Sequence, residues 1–295
     1  MIEGNGIYER IVKNNADGII LIRERIIVFA NQAAAEIYGS EDPNEMVGSS
    51  ILDYIAESEH GRIEELERIP IDSEEFKTPF QIEGFYRNRE PAVYEITASG
   101  VSYEDDEATF LTIRDITKRV NQENRITALH DSTARLGGAR SQEAMIEIVL
   151  NSLKGILEMD YASVAFVEDD YLVFKRHLGE STVSRLPMTG GGLTVKAINQ
   201  AATQVINDLR EDPNYINSRP EGTRPSLSEM DVPIIVEGRA IAVINIEEQE
   251  KDAFTEENVQ MVEILANHFA SSLDRMMHDR MMRGLREAQL MELVG

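Results

Sequence analysis

A polar helical stretch over residues 115–136, stopped by Gly137-Gly138, divides the chain into two blocks of short β-like segments. A helix this polar cannot sit inside a core, so it acts as a connector and each block must close its own sheet. The 295 residues suffice for two domains of roughly 100–200 residues each.

The first block opens with a short helix over residues 8–14, then strands over 17–22 and 26–30 joined by a tight turn at Arg23-Glu24-Arg25. Val, Ile and Phe dominate both strands, as a pleated, half-buried surface requires. Asn31 stands where a helix N-cap belongs, and Gly39 closes the small helix that follows. A longer helix is expected over 58–69. Strands are expected over 79–87, 92–103 and 108–116, with turns at 88–91 and 104–107. The second block starts with helices over 124–136 and 141–158, the latter with a broad apolar face. Strands follow over 162–167, 171–177, 203–206, 228–236 and 240–246, with a helix over 193–199. A long helix runs from Thr255 towards the C-terminus. Both blocks therefore read as α+β domains, each an antiparallel sheet with flanking helices.

Charge and cysteine content narrow the chemistry. There are 29 basic against 53 acidic residues, a net charge of −24. Such a surface disfavours nonspecific nucleic acid binding and anionic membranes. The absence of cysteine excludes disulfides, zinc–thiolate sites, thiol nucleophiles and iron–sulfur clusters. It equally excludes a covalently attached bilin or a flavin that forms a Cys adduct. The N-terminus lacks the apolar core of a signal peptide, and runs such as residues 18–22 fall far below the ~20 residues that span a bilayer. The expected location is the cytoplasm.

No motif argues for catalysis, and no catalytic or metal-ligating residue is expected. His130-Asp131 and His278-Asp279 are acid-paired histidines on exposed helical positions. His177 and His268 lack partners at metal-ligand spacing. Gly190-Gly191-Gly192 with Lys196 misses the spacing that wraps backbone N–H groups around phosphate, and instead suits a turn entering a helix. The pairs Asp105/Asp106 and Asp169/Asp170 fall in expected hairpin turns, whereas acid–base catalysis needs a desolvated cleft.

Particular residues add a family resemblance. Asp17-Gly18-Ile19, Phe29-Ala30-Asn31, Tyr38-Gly39, Val47-Gly48 and the terminal Arg114-Asp115-Ile116-Thr117 occur in an order that resembles a PAS domain. Gly192-Leu193, residues 205–209, Val232-Pro233-Ile234, residues 242–246 and Ala253-Phe254-Thr255 resemble a GAF domain. The resemblance implies a PAS sensor domain over 1–118, a connecting helix over 119–137, a GAF domain over 138–275 and a signalling helix over 276–295. The tail around Leu285-Arg286-Glu287 resembles the helix leading into the dimerisation region of sensor histidine kinases. No Asp-x-Gly-x-Gly ATP-binding motif follows.

The resemblance thus implies the sensory input module of a cytoplasmic histidine kinase, not itself an enzyme, that couples ligand or partner binding to a dimeric output helix. The alternative is a PAS–GAF regulatory or transcriptional protein that is not a kinase. By resemblance, a PAS cavity would be lined by Phe29, Tyr38, Tyr54, Phe80, Tyr94 and Phe110, unless these side chains simply fill the core. Arg185, Asp208, Tyr215 and Ser228 are the polar candidates for a GAF pocket that takes a small molecule. No cofactor is implied. His60 stands on the helix from which some PAS domains bind haem, but the axial position falls nearer Ile63. The cyclic-nucleotide signature Asn-Lys-Phe-Asp-Glu is absent. The spacing of Val262, Phe269, Leu273 and Met276 is heptad-like, which suggests the seam of a parallel homodimer. The expected partners are therefore a second copy and downstream kinase or response-regulator machinery, with no nucleic acid and no membrane segment.

Overall fold

The computed structural model describes residues 10–66, 78–103, 106–157, 159, 161–212, 215–217 and 220–294. The chain divides into two compact units, the first ending at Gln122 and the second beginning at Glu123.

The first unit is built on β1 (Gly18–Arg23), β2 (Ile26–Ala30), β3 (Phe80–Phe85), β4 (Pro91–Tyr103) and β5 (Asp106–Asp115). They form one antiparallel sheet in the order β2-β1-β5-β4-β3. Helix α1 (Gln32–Ile37), three short 3-10 turns and α2 (His60–Leu66) lie between β2 and β3. The expected N-cap is real, and it does more than cap. Asn31 Oδ1 accepts from the Ala34 N–H at 2.8 Å and from the Ile19 N–H at 2.9 Å, while Nδ2 donates to the carbonyls of Val12 and Asp17. One buried amide thereby ties the start of α1 to β1 and to the preceding segment. The remainder of the expected helices, residues 8–9 and 67–69, lies outside the described residues. Of the expected turn over 104–107, residues 104–105 lie outside the described residues, and Asp106 and Glu107 belong to β5.

Alternation decides what this sheet buries. Ile20, Leu111, Ala98 and Ala30 point to one face and form a core with Tyr38, Tyr94, Ile96 and Ile113. Leu21, one residue on, pairs with Phe29 on one side and Phe110 on the other, so these two phenyl rings lie on the opposite face. Gly84 is needed beside that core. A Cβ there would stand 2.5 Å from the Tyr94 ring and 2.6 Å from the Tyr54 carbonyl oxygen.

Helix α3 (Thr117–Gly138) begins in the first unit and ends in the second. The second unit continues with α4 (Gln142–Leu157), β6 (Ala162–Glu168), β7 (Tyr171–Leu178), β8 (Arg185–Pro187), α5 (Leu193–Gln200), β9 (Gln204–Ile206), β10 (Ser228–Val236), β11 (Arg239–Glu248) and α6 (Glu256–Val294). Its sheet order is β8-β7-β6-β11-β10-β9, again antiparallel throughout. The three-residue strand β8 was not expected from the sequence, being too short to show a period.

Both faces of this sheet are covered. On one, Val164, Met230, Val232, Ile234, Ile244 and Ile246 pack against Met145, Val149, Leu153 and Ile156 of α4 and against α6. On the other, Ala165, Leu172 and Val243 meet Val195, Ala197 and Ile198 of α5. Thr255 opens α6 as expected, its Oγ1 accepting from the Asn258 N–H at 3.2 Å. The heptad reading of α6 needs correction. Val262, Phe269 and Leu273 are buried in the unit's own core, with Phe269 edge-on to Phe166, and Met276 packs at that core's margin. Their 4-3 spacing is the stripe of a helix lying on its own sheet, which repeats the same way as a dimer seam.

Candidate functional site

In the second unit, strand register assembles a polar site on the α5 side of the sheet. His177 pairs with Ser163, Ser163 with Asn245, and Asn245 with Asp231, a row that crosses β7, β6, β11 and β10. Two residues further along, Glu229 of β10 is the register partner of Glu247 of β11. The two-residue period of a strand puts Glu229 with Asp231, and Asn245 with Glu247, on the same face. All four are buried.

Asn245 organises the group. Its Nδ2 donates to Glu229 Oε1 at 2.9 Å and to Asp231 Oδ1 at 3.2 Å, and its Oδ1 accepts from Ser163 Oγ at 3.2 Å. Ser226 Oγ donates to Glu247 Oε2 at 2.6 Å. Thr194, in the first turn of α5, donates to Glu229 Oε1 at 3.5 Å. Asp231 Oδ2 is buried and has no hydrogen-bond partner among the described residues.

Three carboxyls so close together and out of water cannot all ionise. Burial pushes Glu229 well above the usual carboxylate range, and the charges of Asp231 and Glu247 push it further. Burial raises Asp231 to about 7, against the opposing pull of hydrogen bonds with Glu229 and Asn245. Burial thus favours the protonated form of the pair over two neighbouring carboxylates.

A cavity of about 40 Å³ opens beside this cluster, lined by Glu229, Asn245, Glu247, Ser163, His177 and Thr194 among others. A single water needs roughly 10–15 Å³, so the cavity has room for a few waters or one ammonium-sized group. Its outer wall is made of loop residues Glu180, Ser181, Val183 and Ile216. Gly192 holds the entry to α5. Its φ of +107° suits glycine, and a Cβ there would meet Ile216 Cδ1 at 3.3 Å. The Gly-rich turn noted in the sequence thus sets the helix that roofs the site. Chemically the walls are rich in acceptors, and they favour a group that donates hydrogen bonds and carries positive charge.

None of the four residues named from sequence for this pocket, Arg185, Asp208, Tyr215 and Ser228, lines the cavity. Ser228 is buried next to Glu229, but its hydroxyl donates to the Glu250 carbonyl at 2.7 Å. Asp208 caps a 3-10 turn and pairs with Arg210 and Lys251. Those cations hold its carboxyl far below the usual range. Arg185 lies over the Tyr171 ring, 4.7 Å from its centroid. Tyr215 precedes Ile216, which does line the cavity. The acids carried a signal in the sequence, Glu229/Asp231 and Asn245/Glu247 being polar pairs at i, i+2 in apolar surroundings, although Glu247 falls one residue past the expected strand 240–246, which the structure extends to Glu248.

In the first unit, Tyr38 and Tyr94 are fully buried with ring centroids 5.0 Å apart, and the Tyr54 ring lies tilted against Tyr38 with centroids 4.6 Å apart. Phe80 packs at the margin of this core. Phe29 and Phe110 do not join them, because strand alternation sends both to the other face. Tyr94 Oη donates to the Phe85 carbonyl at 3.1 Å, whereas Tyr38 Oη has no partner among the described residues. At the exit of the sheet, Tyr86 Oη donates to Asp115 Oδ2 at 2.6 Å, and Asp115 Oδ1 accepts from the Thr117 N–H at 2.9 Å. The Val93 N–H donates to Thr117 Oγ1 at 2.9 Å. The start of α3 is thereby fastened to β3–β4. Among the described residues no three His, Asp or Glu side chains converge in a way that could hold a metal ion, and no helix is long and apolar enough to cross a membrane.

Several solved structures resemble the chain. A free methionine-R-sulfoxide reductase from Neisseria meningitidis, determined with its substrate, is 20% identical with a TM-score of 0.48, over 53% of this chain and 91% of its own. The GAF domain of a phosphoenolpyruvate-protein phosphotransferase from Coxiella burnetii is 22% identical, also at 0.48, over 53% and 96%. A type II free methionine-R-sulfoxide reductase from Thermoplasma acidophilum is 24% identical at 0.41, over 48% and 96%. No curated protein matches the chain significantly. The PAS domain family model matches residues 12–118 and the GAF domain family model residues 139–274. The sheet orders and helices described above agree with both matches: the chain is a PAS domain followed by a GAF domain.

Proposed function

We propose that this chain is the sensory input part of a signal-transduction protein, with the GAF cavity as its ligand site. The ligand is a small molecule that presents an ammonium or similar cationic donor to Glu229 and Glu247, which line the cavity, with Asp231 behind them. The observation that carries this reading is the buried acidic cluster around Asn245, beside a cavity closed on its outer side only by loops. An apolar core would be more stable without these acids, since taking carboxyl groups out of water is costly even where they are hydrogen-bonded. A cation would complete the site. A ligand larger than its head group enters by displacing the wall at Glu180–Val183 and Ile216.

PAS and GAF domains are regulatory modules, and the reading is a sensor rather than an enzyme. A thiol-based reductase chemistry has no cysteine here to use. The proposed setting is a cytoplasmic histidine kinase acting as a homodimer, its output passing to kinase or response-regulator machinery. Support for the dimer comes from α6 beyond the core. Met277, Met281 and Leu285, spaced four apart, are 51%, 61% and 53% exposed. Methionines suit an adaptable helix interface.

Two measurements test the reading. A thermal-shift screen with free amino acids and primary amines should find a stabilising ligand. That shift should vanish in Glu247→Gln, while a full panel without effect on the unaltered chain would sink the ligand site. Light scattering should give a dimer for the chain and a monomer for Met277→Glu/Met281→Glu. A monomer from the outset would remove the dimeric output.

A further inference from the structure

Past Met276 the inward stripe of α6 changes character. Val262, Phe269, Leu273 and Met276 face the core of the second unit. Four and seven residues beyond Met276, the same stripe presents Arg280 and Arg283. Instead of entering the core they line a groove of about 600 Å³ together with Arg140 and Arg275. Gly137 and Gly138, at the end of α3, line it as well. A Cβ at Gly138 would meet nothing within 4 Å, and at Gly137 only Arg275 Nη2 at 3.8 Å, so this wall is open backbone.

Arg275 donates to Ser272 Oγ at 3.1 Å on its own helix. Among the described residues the side chains of Arg140, Arg280 and Arg283 make no hydrogen bond or ion pair. Two acids face the cluster. Asp279 lines the groove, and Glu143, in the first turn of α4, feels the charge of Arg280. Glu143 is engaged mainly by the α4 backbone and Ser141. Among the described residues, four guanidinium groups against one lining carboxylate leave a local excess of positive charge in a chain of net charge −24.

That excess needs a reason, and the shape of the groove suggests one. Guanidinium forks match phosphate oxygens with paired hydrogen bonds. The volume falls within the roughly 300–1,000 Å³ of small-molecule sites. An acidic protein or a nucleic acid would be repelled at long range by the rest of the surface. A small ligand inside the groove senses charges within about one Debye length, ~8 Å at physiological salt. We propose that this groove binds a small polyanion bearing consecutive phosphate groups. Its occupant bridges α6 to the corner between α3 and α4, and so fastens the part of α6 that has left the core.

Calorimetric titration of the full chain with inorganic tripolyphosphate at about 150 mM salt tests this, with citrate as a parallel arm. Saturable binding is expected, weakening as salt rises. The Arg140→Gln/Arg283→Gln variant should bind at least about tenfold more weakly, and Arg280→Gln gives an independent second reading. Tripolyphosphate should raise the melting temperature of the unaltered chain and not of the double variant. All these side chains are exposed, so equal melting temperatures without ligand will verify that the variants fold. Absence of binding, or equal affinity in the chain and both variants, would overturn the site. Citrate binding as tightly as tripolyphosphate would overturn its assignment to phosphate.

Discussion

The two units use the same material, an antiparallel sheet with helices on it, yet close the inner face in opposite ways. In the PAS unit the face covered by the short helices is filled by Tyr38, Tyr94, Ile20, Ile96 and Ile113, with Tyr54 and Phe80 at the margin. In the GAF unit one face is a continuous apolar core, while the other is apolar only beneath most of α5 and becomes acidic at Glu229, Asp231 and Glu247. A face filled by rings is already complete. A face holding three carboxyls and one organising amide is unfinished electrostatically, and it is the one with a cavity. The difference teaches where to look for a ligand: beside the buried acidic groups and their cavity, rather than among the largest aromatics.

The comparison breaks most visibly at the apolar side of the GAF unit. Phe269→Ala should remove about 3–5 kcal/mol of stability, read as a lower denaturant midpoint. The loss should be confined to the GAF transition, leaving that of the PAS unit in place. A small effect would mean that α6 is not held by its own unit, and would return Phe269 to a seam between chains.

The acidic side should instead reveal itself through pH. Carboxyls raised by burial hold protons in the folded state that the unfolded chain releases near pH 4. Folding therefore binds protons, and the stability of the GAF unit should fall as pH climbs from about 4 to about 7, the range set by Asp231. Above that range this contribution levels off. Asp231→Asn should flatten the profile, and melting curves across this range will measure it. A profile that rises with pH in this window would mean the acids are paired with cations. The PAS unit should show no such fall, since Asp17, held below its usual range by Arg114, acts with the opposite sign.

Within the PAS core two tyrosines sharpen the contrast further. Tyr94→Phe loses the bond to the Phe85 carbonyl and should cost about 1 kcal/mol. Tyr38→Phe removes a buried hydroxyl with no partner among the described residues and should be neutral or stabilising. Equal losses at both positions would show that Tyr38 Oη is satisfied after all. The smallest effect is expected at the surface. Arg114→Gln breaks a two-point pairing with Asp17 across β1 and β5, which should cost at most about 1 kcal/mol and less at high salt.

Much of this molecule could be read from local pattern. Asn31 before an alanine-rich helix, Thr255 before Glu256-Glu257, and the Val- and Ile-rich strands 228–236 and 240–246 each announce their element through the groups they satisfy or bury. The order of those elements fixes two antiparallel α+β units, and the absence of cysteine removes whole classes of chemistry. Faces and partners were less legible. Phe29 and Phe110 looked like cavity residues because aromatic content says nothing of which side of a sheet is covered. Val262, Phe269 and Leu273 looked like a dimer seam because a helix on its own sheet and a helix in a coiled coil share nearly the same period.

The sequence by itself determined the number of units, the kind of sheet in each and the caps that start their helices, because those depend on neighbours a few residues apart. Only the tertiary structure decided that Glu229, Asp231, Asn245 and Glu247 share one buried face, and that Arg140 meets Arg280 and Arg283. Such meetings depend on strand register and helix docking across many residues of chain, and no local pattern records the distance between side chains so far apart in sequence.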